Sequence, residues 1–131
     1  MILKRRDMET KVRQGTVTPY VLVSNAEGFI NFMRNVFGAS EVRRVADGGK
    51  ILHAEIELGG SIIMLADNAE FDTQTCGFNI NVENVDETYN KAIENGAETA
   101  LEPDDRVYGR SAGVRDPFGN LIFIRRLQEE R

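Results

Sequence analysis

The sequence has no tryptophan, three prolines, one cysteine and one histidine in 131 residues. Each shortage removes a class of chemistry. A lone Cys76 can form no internal disulfide and no thiolate metal site, and it fits a reducing, cytoplasmic compartment. A lone His53 excludes any mechanism needing two imidazoles from one chain. Without tryptophan, aromatic stacking falls to Tyr20, Tyr108 and Phe123. No apolar run approaches the roughly 20 residues that span a bilayer, so no membrane partner is expected. The opening MILKRR is basic without an apolar stretch behind it, and does not read as a signal peptide. Residues 1–14 lack periodicity and read as a flexible arm or a remnant of cloning. Positive charge is also short: the net charge of -5 lacks the basic footprint that nucleic acid requires.

What remains fits one domain, residues 15–131. Apolar residues at 26, 29, 30, 33, 36 and 37 have helical spacing. Ser24 or Asn25 can cap this helix, and Gly38 can close it. A strand is expected before it, over Val17–Val23. Three are expected after it, near Glu41–Val45, Ile51–Leu58 and Ser61–Ala66, the last two joined by a Gly59-Gly60 hairpin turn. The order then repeats. Phe78, Ile80 and Val82 alternate with Gly77, Asn79 and Asn81 as in a half-buried strand. Asn84 with Glu87 forms a capping box, and Val85, Tyr89, Ala92 and Ile93 form an apolar stripe ended by Gly96. Strands follow near Thr99–Glu102, Arg110–Arg115 and Asn120–Arg125. "EPDD" at 102–105 reads as a solvated acidic loop, and "DNAEFDTQT" at 67–75 as a polar linker.

The halves align with an offset of 59, from Asn25 to Asn84 and from Gly60 to Gly119, slipping to 58 between "FGA" and "NGA". The architecture is α+β: two βαβββ modules, about 16–66 and 76–126, sharing one core.

The stretches "VTPYVLVSNAEGFINFMRNVFGA", "GGKILHAEIELGGSIIMLAD", "VENVDETYNKAIENGAE" and "YGRSAGVRDPFGNLIFI" resemble the vicinal oxygen chelate superfamily. It includes glyoxalase I, extradiol dioxygenases and bleomycin resistance proteins. "TPY" and "ILHAEIELGGSIIMLAD" are most similar to its PhnB-like branch. The resemblance implies a cup-shaped curved sheet with helices outside, and a homodimer. In the metal-dependent members four side chains reach into the cup. Carried over, those positions are Thr18, Met64, Gly77 and Phe123, and the repeat relates each module's pair at 59 residues. None offers the imidazole, carboxylate or thiolate that a divalent metal prefers, so no metal or other cofactor is expected. Phe123 then reads as a pocket wall where a glutamate would stand.

Strand parity places Tyr20, Leu22 and Thr18 on the cup face, with Gly77, Asn79 and Asn81 in the other module. His53, Glu55 and Glu57 fall on that face when Leu52, Ala54, Ile56 and Leu58 pack on the helix. By the repeat, Arg110, Ala112 and Val114 join them. His53 and Glu55, two apart on a strand and so about 7 Å apart, are the candidate acid–base pair, or a hydrogen-bonding pair on an open sheet. Arg110 could fork a carboxylate or phosphate, or make a structural ion pair near the Asp116 turn. Tyr20, Met64, Asn79, Asn81, Tyr108 and Phe123 complete the candidate ligand-binding set.

Two functions fit. The first is a metal-free member that binds a small organic molecule, as bleomycin resistance proteins sequester a drug; an acidic chain suits a cationic one. The second is a lyase or isomerase using His53 and Glu55 as acid and base or as an atypical metal site.

Overall fold

The computed structural model describes residues 17–68 and 72–126. Residues 1–14 lie outside the described residues, as do three positions of the linker. The elements run β1 (Tyr20–Val23), α1 (Ala26–Phe37), β2 (Ser40–Asp47), β3 (Lys50–Leu58), β4 (Ser61–Asp67), β5 (Gly77–Val82), α2 (Val85–Glu94), β6 (Glu98–Arg106), β7 (Gly109–Arg115) and β8 (Leu121–Arg126). This is the expected βαβββ order, twice. Two compact units carry it, the first holding β1 to β4 with α1 as far as Arg34, the second β5 to β8 with α2.

The first unit's sheet has the order β1-β4-β3-β2, with β1 parallel to β4 and the other pairs antiparallel. Both α1 ends follow local chemistry. Asn25 Oδ1 accepts from the Gly28 N–H at 2.9 Å, and Gly38 closes the helix at φ 78°. The α1 stripe Phe29, Ile30 and Met33 is buried, as are Val21, Val23, Ala54, Ile56 and Leu65. Arg44, the register partner of Ala54, reaches Glu27 on α1, so the helix covers the Ala54 face. Asp67 ties the layers: Oδ1 accepts from Ala26 N–H at 2.9 Å and Oδ2 from Ile51 N–H at 2.7 Å.

The second unit's sheet has the order β5-β8-β7-β6, with β5 parallel to β8. Asn84 Oδ1 caps α2 by accepting from Glu87 N–H. Val85 and Ala92 bury one helix face, and Ala112, Val114, Ile122 and Ile124 are fully enclosed. Ile93, expected in the stripe, is more than a third exposed. The Asp116–Asn120 turn has its own buried network. Asp116 Oδ1 accepts from the Phe118 and Asn120 N–H groups, and Asn120 Nδ2 donates to Asp116 Oδ2 at 2.8 Å.

Three expectations about faces and loops are corrected. "EPDD" lies within β6, not in a loop. β6 is an edge strand with a register shift between Leu101 and Asp104, where Pro103 can lack an N–H at no cost. Leu52 does not pack on the helix. Val45 pairs with His53 but Ala46 pairs with Ile51, so Leu52 is the extra residue of a bulge and turns outward, while Ile51 is buried. Arg110, Ala112 and Val114 do not share the face of Glu55. The register pairs Glu55 with Met64 but Gly113 with Phe123, so the equivalent of Glu55 is Gly113. The cause is a turn one residue longer: four residues separate the partners Glu57 and Ile62, five separate Arg115 and Leu121. A slip of one residue in a strand exchanges its faces.

Candidate functional site

Each sheet has a face turned away from its helix, and a row of side chains crosses it at equivalent places. In the first unit the row is Tyr20, Met64, Glu55 and Arg43. In the second it is Asn79, Phe123, Gly113 and Leu101. Met64 and Phe123 are the row centres.

In the first unit the row closes into a polar chain. The Tyr20 hydroxyl lies 3.0 Å from His53 Nδ1, and His53 Nε2 lies 3.0 Å from Glu55 Oε2. The rings meet edge to face, with centroids 5.5 Å apart. Carboxylates only accept, so Nε2 carries the hydrogen and donates to Glu55. A neutral His53 then accepts the Tyr20 hydroxyl hydrogen at Nδ1. His53 and Glu55 side chains are 26% and 16% exposed, so the pair is shielded yet reachable.

The second unit's face is apolar at its centre. Phe123, 37% exposed, places Cδ1 3.5 Å from where a Cβ on Gly113 would stand, so the ring lies over the glycine. Asn79 Nδ2 donates to Asn81 Oδ1 at 3.3 Å beside it. Tyr108 sits in the β6–β7 turn with the Arg125 guanidinium 5.1 Å from its ring centre.

Arg110 is elsewhere. It ion-pairs with Asp86 at the start of α2 at 3.0 Å and with Asp105 at 3.3 Å, on the helix side of its sheet. The Asp86 hydrogen bond, joined by Asp105, raises its pKa above the usual arginine value. Of the two expectations for Arg110, the ion pair is the one seen, with Asp86 and Asp105 rather than near the Asp116 turn. Of the expected residues, Tyr20, His53, Glu55 and Met64 come together on one face, and Asn79, Asn81 and Phe123 on the other. Arg125 escaped notice in the sequence, though its two-residue spacing from Phe123 signals the same face.

Residues 13–124 match the sequence pattern of the glyoxalase/bleomycin resistance protein/dioxygenase superfamily. The chain belongs to this superfamily. An uncharacterized protein of Mycobacterium bovis is 29% identical, over 79% of this chain and 78% of its own. Among solved structures, TioX from Micromonospora sp. ML1 superposes with a TM-score of 0.70 at 24% identity, over 89% of this chain and 99% of TioX. The PhnB protein from Bacillus cereus superposes at 0.65 and 17%, over 86% and 100%. At these identities the structural likeness speaks for the fold.

Within this superfamily fold the four carried-over metal positions do not suit a divalent ion. Gly77 has no side chain, Phe123 lies against Gly113, and Met64 offers a thioether, a poor ligand for such ions. Thr18 precedes β1 and offers one hydroxyl. His53 with Glu55 supplies two donors, and among the described residues no group of three His, Cys, Asp or Glu is placed to hold a metal. No helix among them is long and apolar enough to cross a membrane.

Proposed function

We propose that this protein is a metal-independent, small-molecule-binding member of the superfamily. The observation that carries the reading is the half-exposed phenyl ring of Phe123 on the open face of the second unit, lying over Gly113 with the Asn79 amide beside it. Apolar surface with a few oriented polar groups is what an organic ligand requires. Each unit's open face is a candidate surface by itself: Tyr20, His53 and Glu55 supply the polar groups of the first, and Asn79, Asn81 and Phe123 the contacts of the second. The reading includes a homodimer in the cytoplasm.

A thermal-shift screen of small organic molecules tests this, because a ligand bound only by the folded state raises the melting temperature. The expected result is a stabilising compound whose binding is weakened in Phe123→Ala and changes only modestly in His53→Ala, with no turnover. A screen without a stabilising compound would overturn the binding reading.

One observation favours a second reading. The Tyr20–His53–Glu55 chain holds an imidazole between a hydroxyl and a carboxylate, an arrangement suited to proton transfer. A lyase or isomerase of this kind would lose turnover in His53→Ala while still binding its substrate.

A further inference from the structure

The second unit's open face carries an arginine that the described residues leave underused. Arg125 has the same strand parity as Phe123, and its register partners are Asn81 and Ser111. Its guanidinium stacks on Tyr108, and Nη2 reaches the Tyr108 carbonyl only at 3.4 Å. Its Nε is buried with no acceptor. Among the described residues no carboxylate lies within ion-pairing distance of Arg125, whereas Arg44 and Arg110 each contact two. A partly enclosed guanidinium without a counter-charge is costly, and the cost is relieved by an oxyanion that takes its Nη donors.

The neighbours suit the same guest. Asn81 accepts from Asn79 through its oxygen, which leaves its amide hydrogens to donate. Arg106 adds a second guanidinium beside Ser111. It donates to the Ser111 carbonyl at 2.6 Å and hydroxyl at 3.1 Å, and to the Glu102 carbonyl at 3.0 Å. Those acceptors are all neutral, and the Asp104 carboxylate stands at the far end of the same row, as the register partner of Ser111. Phe123, two residues before Arg125, presents its ring about 7 Å along the strand.

We infer that Arg125, oriented by stacking on Tyr108, is an anion-recognition residue that takes the carboxylate or phosphate of a ligand whose aromatic or apolar body lies on Phe123. This deepens the binding reading above and rests on it. It replaces the cationic ligand suggested by the net charge with an anionic one at this face.

The test is nuclear magnetic resonance of the 15N-labelled full chain, following the arginine Nε–H signals. The probes are benzoate, phenyl phosphate and the uncharged benzamide. Benzoate or phenyl phosphate should move the Arg125 Nε–H and Phe123 amide signals, and benzamide should not. Whichever anion moves them more assigns the group as carboxylate or phosphoester. Arg125→Met should weaken the anionic probe by about tenfold or more, the loss expected for a charged hydrogen bond. Arg125→Lys, which keeps the charge without the fork, should weaken it less, and it carries the test should the methionine variant not fold. Unmoved Arg125 signals with both anions, or equal affinity in the variants, would overturn the inference. So would benzamide binding as well as benzoate, which would leave the binding reading standing. Failure of the binding reading itself is read separately, in the thermal-shift screen.

Discussion

Tyr20 and His53 lie on strands separated by a third, yet the Tyr20 hydroxyl stands 3.0 Å from His53 Nδ1. The tyrosine side chain reaches across β4 beside Met64, its own register partner. With Glu55 taking the Nε2 hydrogen, the contact fixes the neutral tautomer of His53. Imidazole 15N shifts should therefore report Nε2–H in the neutral form. Tyr20→Phe should keep the fold with a loss of about 1 kcal/mol or less, the net value of one hydrogen bond. An Nδ1–H tautomer would contradict the assignment.

Arg44 joins β2 to α1 by bonding Glu27 at 2.7 Å and Glu41 at 2.7 Å. The Arg44 hydrogen bond holds the Glu27 carboxyl below the usual glutamate range, against desolvation, with lesser Coulombic help from Arg44 and Arg34 and slight opposition from Asp67. A lowered folded-state pKa stabilises the fold above the unfolded value, and the gain is lost as pH falls through the folded value. Glu27→Gln should cost about 0.5 kcal/mol or less, since the carboxylate is more than half exposed. Melting curves should show the gap above about pH 4.3 and its closure below, where glutamate protonates. A gap that widens in acid would contradict this.

Asp67 accepts one backbone N–H with each oxygen, from Ala26 and from Ile51. Asparagine keeps one acceptor and turns the other into a donor. Asp67→Asn should cost about 1–3 kcal/mol in urea unfolding, the penalty of stranding a part-buried N–H. A neutral result would show that the tie is dispensable.

Asn120 is fully buried and bridges the Asp116 carboxylate to the Cys76 N–H, whose distance to Oδ1 is 2.9 Å. Asn120→Leu is close in size but offers no polar atom. It should cost about 3 kcal/mol or more, because a charged carboxylate oxygen and an N–H lose their partner together. Chemical unfolding gives this directly, and a loss near zero would contradict it.

The helices were legible because their caps and stripes are local: Asn25, Gly38 and Asn84 need no tertiary information. The positions of Met64 and Phe123 were legible because β1 and β4 keep one repeat offset against β5 and β8. The face of Arg110 was not, because a five-residue turn in place of four shifts β7 by one place. Leu52 was misread for a related reason, since a bulge leaves no mark in an unbroken apolar run. The Tyr20–His53 bond was hidden because the two strands do not pair. Arg125 was obscured by its place in a charged strand end, where a solvated arginine is the ordinary expectation.

The most direct measurement is native mass spectrometry of gently purified protein, before and after exposure to zinc, nickel, manganese and iron(II). The expected spectrum shows a dimer that keeps an organic molecule and takes up no stoichiometric metal. One tightly held divalent ion per chain would contradict the assignment of Thr18, Met64, Gly77 and Phe123, and would return His53 and Glu55 to the role of ligands.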